Sequence, residues 1–121
     1  MHIKMISRKA EDRNNNGRLR WTPFVNALAK AGLTWDWDSE WEGSGELTLW
    51  HNGKVLSVNI EWDDGDDFDR YDVPRTLVGY RFVSEDESIP NEEIDKLNDL
   101  PNTPTIVRSL CDYVDRYGSA A

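Results

Sequence analysis

Glu46-Leu47-Thr48-Leu49-Trp50-His51-Asn52-Gly53-Lys54-Val55-Leu56-Ser57-Val58-Asn59-Ile60 sets an Asn-Gly pair between two runs of alternating apolar and polar residues. Both central residues of a type I′ turn need positive φ, which Asn and Gly adopt at least cost, so Asn52-Gly53 predicts a two-residue hairpin. Pairing outward from that turn sets His51 against Lys54, Trp50 against Val55, Leu49 against Leu56 and Thr48 against Ser57. Leu47 then meets Val58, Glu46 meets Asn59, and Gly45 meets Ile60. From Leu49 and Leu56 outward, apolar and polar pairs alternate, as a sheet with one buried face requires. Leu47, Leu49, Leu56, Val58 and Ile60, with Trp62 following, are expected on the buried face. Glu46, Thr48, Ser57, Asn59 and Glu61 are expected on the other, and the register sends Trp50 there too, beside Val55.

Upstream, Thr34-Trp35-Asp36-Trp37-Asp38-Ser39-Glu40-Trp41 alternates with period two and reads as a strand. With Trp35, Trp37 and Trp41 inward, Asp36, Asp38 and Glu40 join the outer face. Gly43-Ser44-Gly45 is expected to break the chain before Glu46. Further back, Thr22 reads as an N-cap, Pro23 as the first helical residue and Gly32 as the stop. Phe24, Val25, Leu28 and Ala29 between them form an apolar stripe suited to packing on a sheet. Residues 2–7 read as a strand followed by a polar loop.

Downstream, Asp63-Asp64-Gly65-Asp66-Asp67-Phe68-Asp69 reads as a loop, and residues 76–83 as one further strand after Pro74. Asn91 reads as the cap of a short helix ending at Leu97, and Thr103-Pro104 repeats the Thr22-Pro23 signature. Ile106, Val107, Leu110, Cys111, Val114 and Tyr117 form a core-facing stripe closed by Gly118. The architecture expected is α+β: an antiparallel sheet of about four to five strands with helices packed on one face.

At 121 residues the chain fits a single domain, 1–121, able to bury about two-thirds of its unfolded surface. With 38% hydrophobic and 31% charged residues the composition is globular, at its polar end. Cys111 stands alone, so no intramolecular disulfide is expected, and Met1-His2-Ile3-Lys4-Met5-Ile6-Ser7 lacks the apolar run of a secretory signal. No run approaches the ~18 apolar residues of a membrane helix. A cytoplasmic location is the expectation.

Charge is unevenly spread. Residues 1–33 carry +5, residues 34–72 carry −10 from twelve acids against Lys54 and Arg70, and residues 73–121 carry −4. The same central window holds five of the six tryptophans. Such a surface repels nucleic acids and anionic membranes and speeds encounter with basic partners. The basic Arg8, Lys9, Arg13, Arg18 and Arg20 around Asn14-Asn15-Asn16-Gly17 offer a separate anion site, but read more simply as a solvated loop or as a segment folded back on acidic neighbours.

Catalytic and metal chemistry find little support. Asp63 and the acids after it invite a hard cation, yet counted from Asp63 the glycine falls third rather than sixth, and the twelfth residue is Pro74. That is not the spacing of an EF-hand loop. Cys111 on an apolar stripe reads as a buried structural thiol, and neither His2 nor His51 is placed near it or near a serine. No cofactor is expected.

The expected function is that of a non-enzymatic acidic inhibitor. Carboxylates two apart on a strand repeat at roughly 6.6 Å, close to the ~7 Å between successive phosphates of a nucleic-acid strand. Asp36, Asp38, Glu40, Glu46, Glu61, Asp63, Asp64, Asp66, Asp67 and Asp69, with Trp50 as an aromatic anchor, can imitate a nucleic-acid backbone. Such a surface fits the basic groove of a nuclease or other DNA- or RNA-handling protein, in the manner of phage antagonists of bacterial defence or toxin-immunity proteins. The alternative is a small module binding a carbohydrate or a cationic ligand through Trp50 and the nearby carboxylates.

Overall fold

The computed structural model describes residues 17–41, 43–63, 73–84 and 88–121. The strand expected at residues 2–7 and the acids Asp64, Asp66, Asp67 and Asp69 lie outside the described residues, as does the side chain of Trp41. In chain order the elements are β1 (Arg18–Arg20), α1 (Trp21–Lys30), β2 (Thr34–Trp41), β3 (Ser44–His51) and β4 (Lys54–Glu61). Then come β5 (Thr76–Val78), β6 (Arg81–Val83), α2 (Asn91–Asn98), α3 (Thr103–Tyr117) and β7 (Ser119–Ala120). The fold is α+β.

The hairpin is the centre of the sheet. Asn52 at φ 51 and Gly53 at φ 77 make its turn, and all seven predicted pairs appear in the β3–β4 register. The five-stranded antiparallel sheet runs β2-β3-β4-β6, with β7 joining β4 beside the turn. β1 and β5 form a separate two-stranded ribbon.

α1 packs against β2, α3 against β3 and β4, and α2 against β6. Leu47, Leu49, Leu56, Val58 and Ile60 are buried beneath them, as their alternation requires, together with Phe24, Leu28, Ile106, Leu110 and Val114. Burying an aliphatic or aromatic side chain of this size contributes about 1.5–3 kcal/mol. At the far end of the hairpin, His51 Nδ1 lies 2.8 Å from Asp115 Oδ1, and Lys54 Nζ donates to the Asp115 carbonyl at 2.7 Å. These contacts tie the turn to the last turn of α3.

Several local expectations are corrected. α1 starts at Trp21, with Arg20 rather than Thr22 at its cap position and no side-chain cap bond. Trp21 is almost fully buried and its backbone N–H donates to Arg75 O at 2.8 Å, so packing and a loop carbonyl replace the threonine cap. Gly32 does stop the helix. At φ 90 it donates to Ala29 O, and Leu33 donates to Leu28 O, the two bonds of a Schellman closure.

Of Gly43-Ser44-Gly45 only Gly43, at φ 77, lies outside a strand, and Ser44 and Gly45 belong to β3. Gly45 is admitted to a strand because the Trp37 indole lies on it where a Cβ would sit. Residues 76–83 are two strands in two sheets, divided at Gly79 with φ 63. α2 is preceded by Pro90 and lacks a side-chain cap, so Asn91 is its first residue. α3 is capped by Asn102, whose side chain accepts from Thr105 N–H, one residue before the expected Thr103. Tyr113, outside the predicted stripe, is buried, whereas Cys111 and Tyr117 are only half-buried. Among the described residues no helix is long and apolar enough to cross a membrane.

Candidate functional site

The outer side of the sheet follows directly from the hairpin register. Across it, Thr34, Trp50 and Val55 lie in one row, Asp36, Thr48 and Ser57 in the next, and Asp38, Glu46 and Asn59 in the third. Thr48 and Ser57 hydroxyls bond to each other at 3.1 Å, a polar cross-strand pair in the middle of the face. Asp36 and Asp38 are exposed, and Asp38 sits directly opposite Glu46. Opposed carboxylates on adjacent strands destabilise a sheet, so this pair marks a concentration of negative charge held in place by the surrounding fold.

The remaining predicted acids are placed differently. Glu40 is exposed, but the β2–β3 register shifts between Ser39 and Trp41, so Glu40 has no cross-strand partner in that register. Glu61 accepts from Arg81 Nη2 at 2.8 Å and Nε at 3.0 Å, which locally balances its charge. Asp63 is exposed past the end of β4, where its backbone N–H donates to Val78 O at 2.7 Å and its carboxylate flanks Gly79. Trp50 is half-buried within its row rather than projecting freely. The structure thus gathers Asp36, Asp38 and Glu46 into one patch, with Trp50 two residues along β3 from Thr48.

On the inner side of β2 lies a feature absent from the predicted site. Trp21, Trp35 and Trp37, with Asp36, Asp38, Ser39 and Val73, line an open cleft of about 310 Å³. Trp21 meets Trp35 edge to face at 6.0 Å between ring centres and Trp37 at 4.7 Å, and Trp37 continues the stack to Trp62 at 5.9 Å. Trp37 Nε1 donates to Ser39 Oγ at 3.1 Å, whereas Trp21 Nε1 is buried without a hydrogen-bond partner among the described residues. Such an orphan donor costs about 1–3 kcal/mol. The sequence did contain the signal for Trp21: Trp21, Phe24, Val25 and Leu28 keep helical spacing, which places Trp21 on the buried stripe once the helix is allowed to begin there.

A second depression, about 420 Å³ and largely apolar, separates α1 from α3 and is lined by Ala27, Ala31, Pro104, Val107 and Cys111 with Lys30 and Arg108 at its margin. Burial, and next the charge of Asp115, push the Cys111 thiol above its ordinary pKa, which opposes formation of the nucleophilic thiolate. Among the described residues no group of three or more His, Cys, Asp or Glu is arranged to hold a metal ion. No protein family, curated protein or solved structure matches the chain.

Proposed function

We propose that this is a non-enzymatic acidic binding protein whose sheet face engages the basic, nucleic-acid-binding surface of a DNA- or RNA-handling protein and so inhibits it. The carrying observation is the opposition of Asp38 to Glu46 beside Asp36 on the sheet face away from the helices. Acidic side chains in register on adjacent strands are complementary to a partner's lysines or arginines. Rigid strands also hold these charges at fixed spacing, which reduces the ordering cost of association. Trp50, in the row beyond Thr48, supplies an aromatic surface adjoining the charge.

The test is competition. A partner isolated on the immobilised protein should be displaced by duplex DNA or RNA, should dissociate steeply with rising salt, and should not be retained by the Asp36→Lys, Asp38→Lys, Glu46→Lys triple variant. Retention by that folded variant would refute the reading.

A further inference from the structure

The two edges of the five-stranded sheet are finished in opposite ways. On the β4 side, β6 and β7 divide the strand between them, and the exposed edge of β6 is closed by Asn98 of α2. Its side chain accepts from Phe82 N–H at 2.7 Å and donates to Phe82 O at 3.0 Å, standing in for a further strand. The β2 edge has no such cover among the described residues. In an antiparallel ladder counted from the two-residue turn, His51 and Leu49 bond to β4 and Trp50, Thr48 and Glu46 bond to β2. Thr34, Asp36 and Asp38 are thus the bonded residues of β2, and the backbone N–H and C=O of Trp35 and Trp37 point away from the sheet.

An edge left open among the described residues is a template for another strand, and proteins usually blunt it. Here the blunting is partial. The bulge at Ser39–Trp41 ends the regular edge, and Asp36, Asp38 and Glu40 place negative charge along it. Those acids repel an acidic strand and attract a basic one. On the inner side, the same edge opens into the cleft of Trp21, Trp35 and Trp37.

From this juxtaposition we infer that β2 is a strand-addition site for an extended, basic segment of a partner protein. The segment's backbone pairs with Trp35 and Trp37. Its side chains alternate, so lysines or arginines meet Asp36 and Asp38 while intervening apolar residues enter the tryptophan cleft. The chain's own first sixteen residues also carry basic and apolar side chains, so they are the competing occupant. The inference rests on the proposed acidic-face function for the basic character of the segment, and adds to it the backbone pairing.

A short synthetic peptide of alternating lysine and valine, blocked at both ends, tests it against the full chain. Two further peptides carry backbone N-methyl groups, one on the valines and the other on the lysines. Strand addition predicts that only one methylated series loses affinity, by roughly tenfold for two lost backbone hydrogen bonds. Loss in the valine series fits antiparallel addition, and loss in the lysine series fits parallel addition. It also predicts that the Trp35 and Trp37 amides exchange freely in the unbound chain and slow when the parent peptide binds.

Equal binding of all three peptides overturns strand addition and leaves the charge-based function standing. Protection of those two amides before peptide is added also overturns it, because another segment or a second copy then holds the edge. No binding of the parent peptide overturns it too, and competition with nucleic acid then tests the charge reading separately.

Discussion

Asp38 on β2 stands directly opposite Glu46 on β3, while on the reverse side of the same strands Trp37 stands opposite Leu47. One face obeys the rule that opposed side chains attract, and the other breaks it. Opposed like charges cost up to about 1 kcal/mol, so removing one should stabilise the fold. Asp38→Lys is expected to raise stability by about 0.5 kcal/mol at low salt, a gain that shrinks in about 1 M salt. Thermal denaturation at both ionic strengths measures this. A variant no more stable than the wild type at low salt would show that the opposition carries no repulsion.

Gly45 owes its place in β3 to the Trp37 ring that covers it. Gly45→Ala gains strand propensity and drives a methyl group into the indole, and overpacking of a filled site costs about 1–3 kcal/mol. The net expectation is a lower midpoint in urea with an unchanged denaturant slope. An alanine variant as stable as the wild type would mean that Trp37 moves aside without penalty.

The hairpin was legible because three independent signals agree on it: the Asn52-Gly53 turn, period-two alternation and matched cross-strand pairs. The outer position of Glu46 followed from that register, and that of Asp36 and Asp38 from the alternation of residues 34–41 with the tryptophans inward. The elements that sequence misplaced are those whose ends depend on distant atoms. Trp21 joins α1 because Arg75 O receives its N–H, and Gly45 joins β3 because an indole lies on it. The break at Gly79, which sends β5 and β6 to different sheets, is equally tertiary, since the chain there also meets Gly17 and Asp63. The cleft was invisible for the same reason. It needs Trp21 against Trp35 and Trp37, a contact between a helix and a strand that no spacing encodes.

Asn98 closes the β6 edge with two hydrogen bonds to Phe82. Asn98→Leu keeps the bulk and leaves the backbone groups of Phe82 without their side-chain partners, at a cost of about 1–3 kcal/mol. The Phe82 amide should then exchange faster with solvent. Asn98→Asp retains the acceptor and loses the donor, so its stability should fall between the other two. If exchange at Phe82 is unaffected in the leucine variant, Asn98 is not what guards that edge.

Tyr113 couples α3 to α2 through its hydroxyl, which donates to Glu93 O at 2.9 Å with a Glu93 carboxylate oxygen at 3.3 Å. Burial first, then the charge of Glu93 and the hydrogen bond to it, push the phenol up to about 12. An unfolded tyrosine titrates near about 10. Between those two values the folded chain holds a proton that the unfolded chain has lost, so stability falls as pH rises through that window. Below about pH 10 both states are protonated and this contribution is fully present. Tyr113→Phe should cost about 1 kcal/mol near neutral pH through the lost hydrogen bond, and should flatten the alkaline decline relative to the wild type. Urea denaturation of both proteins across the alkaline range provides the comparison. Parallel curves would show that Tyr113 keeps its ordinary pKa and that other groups cause the decline.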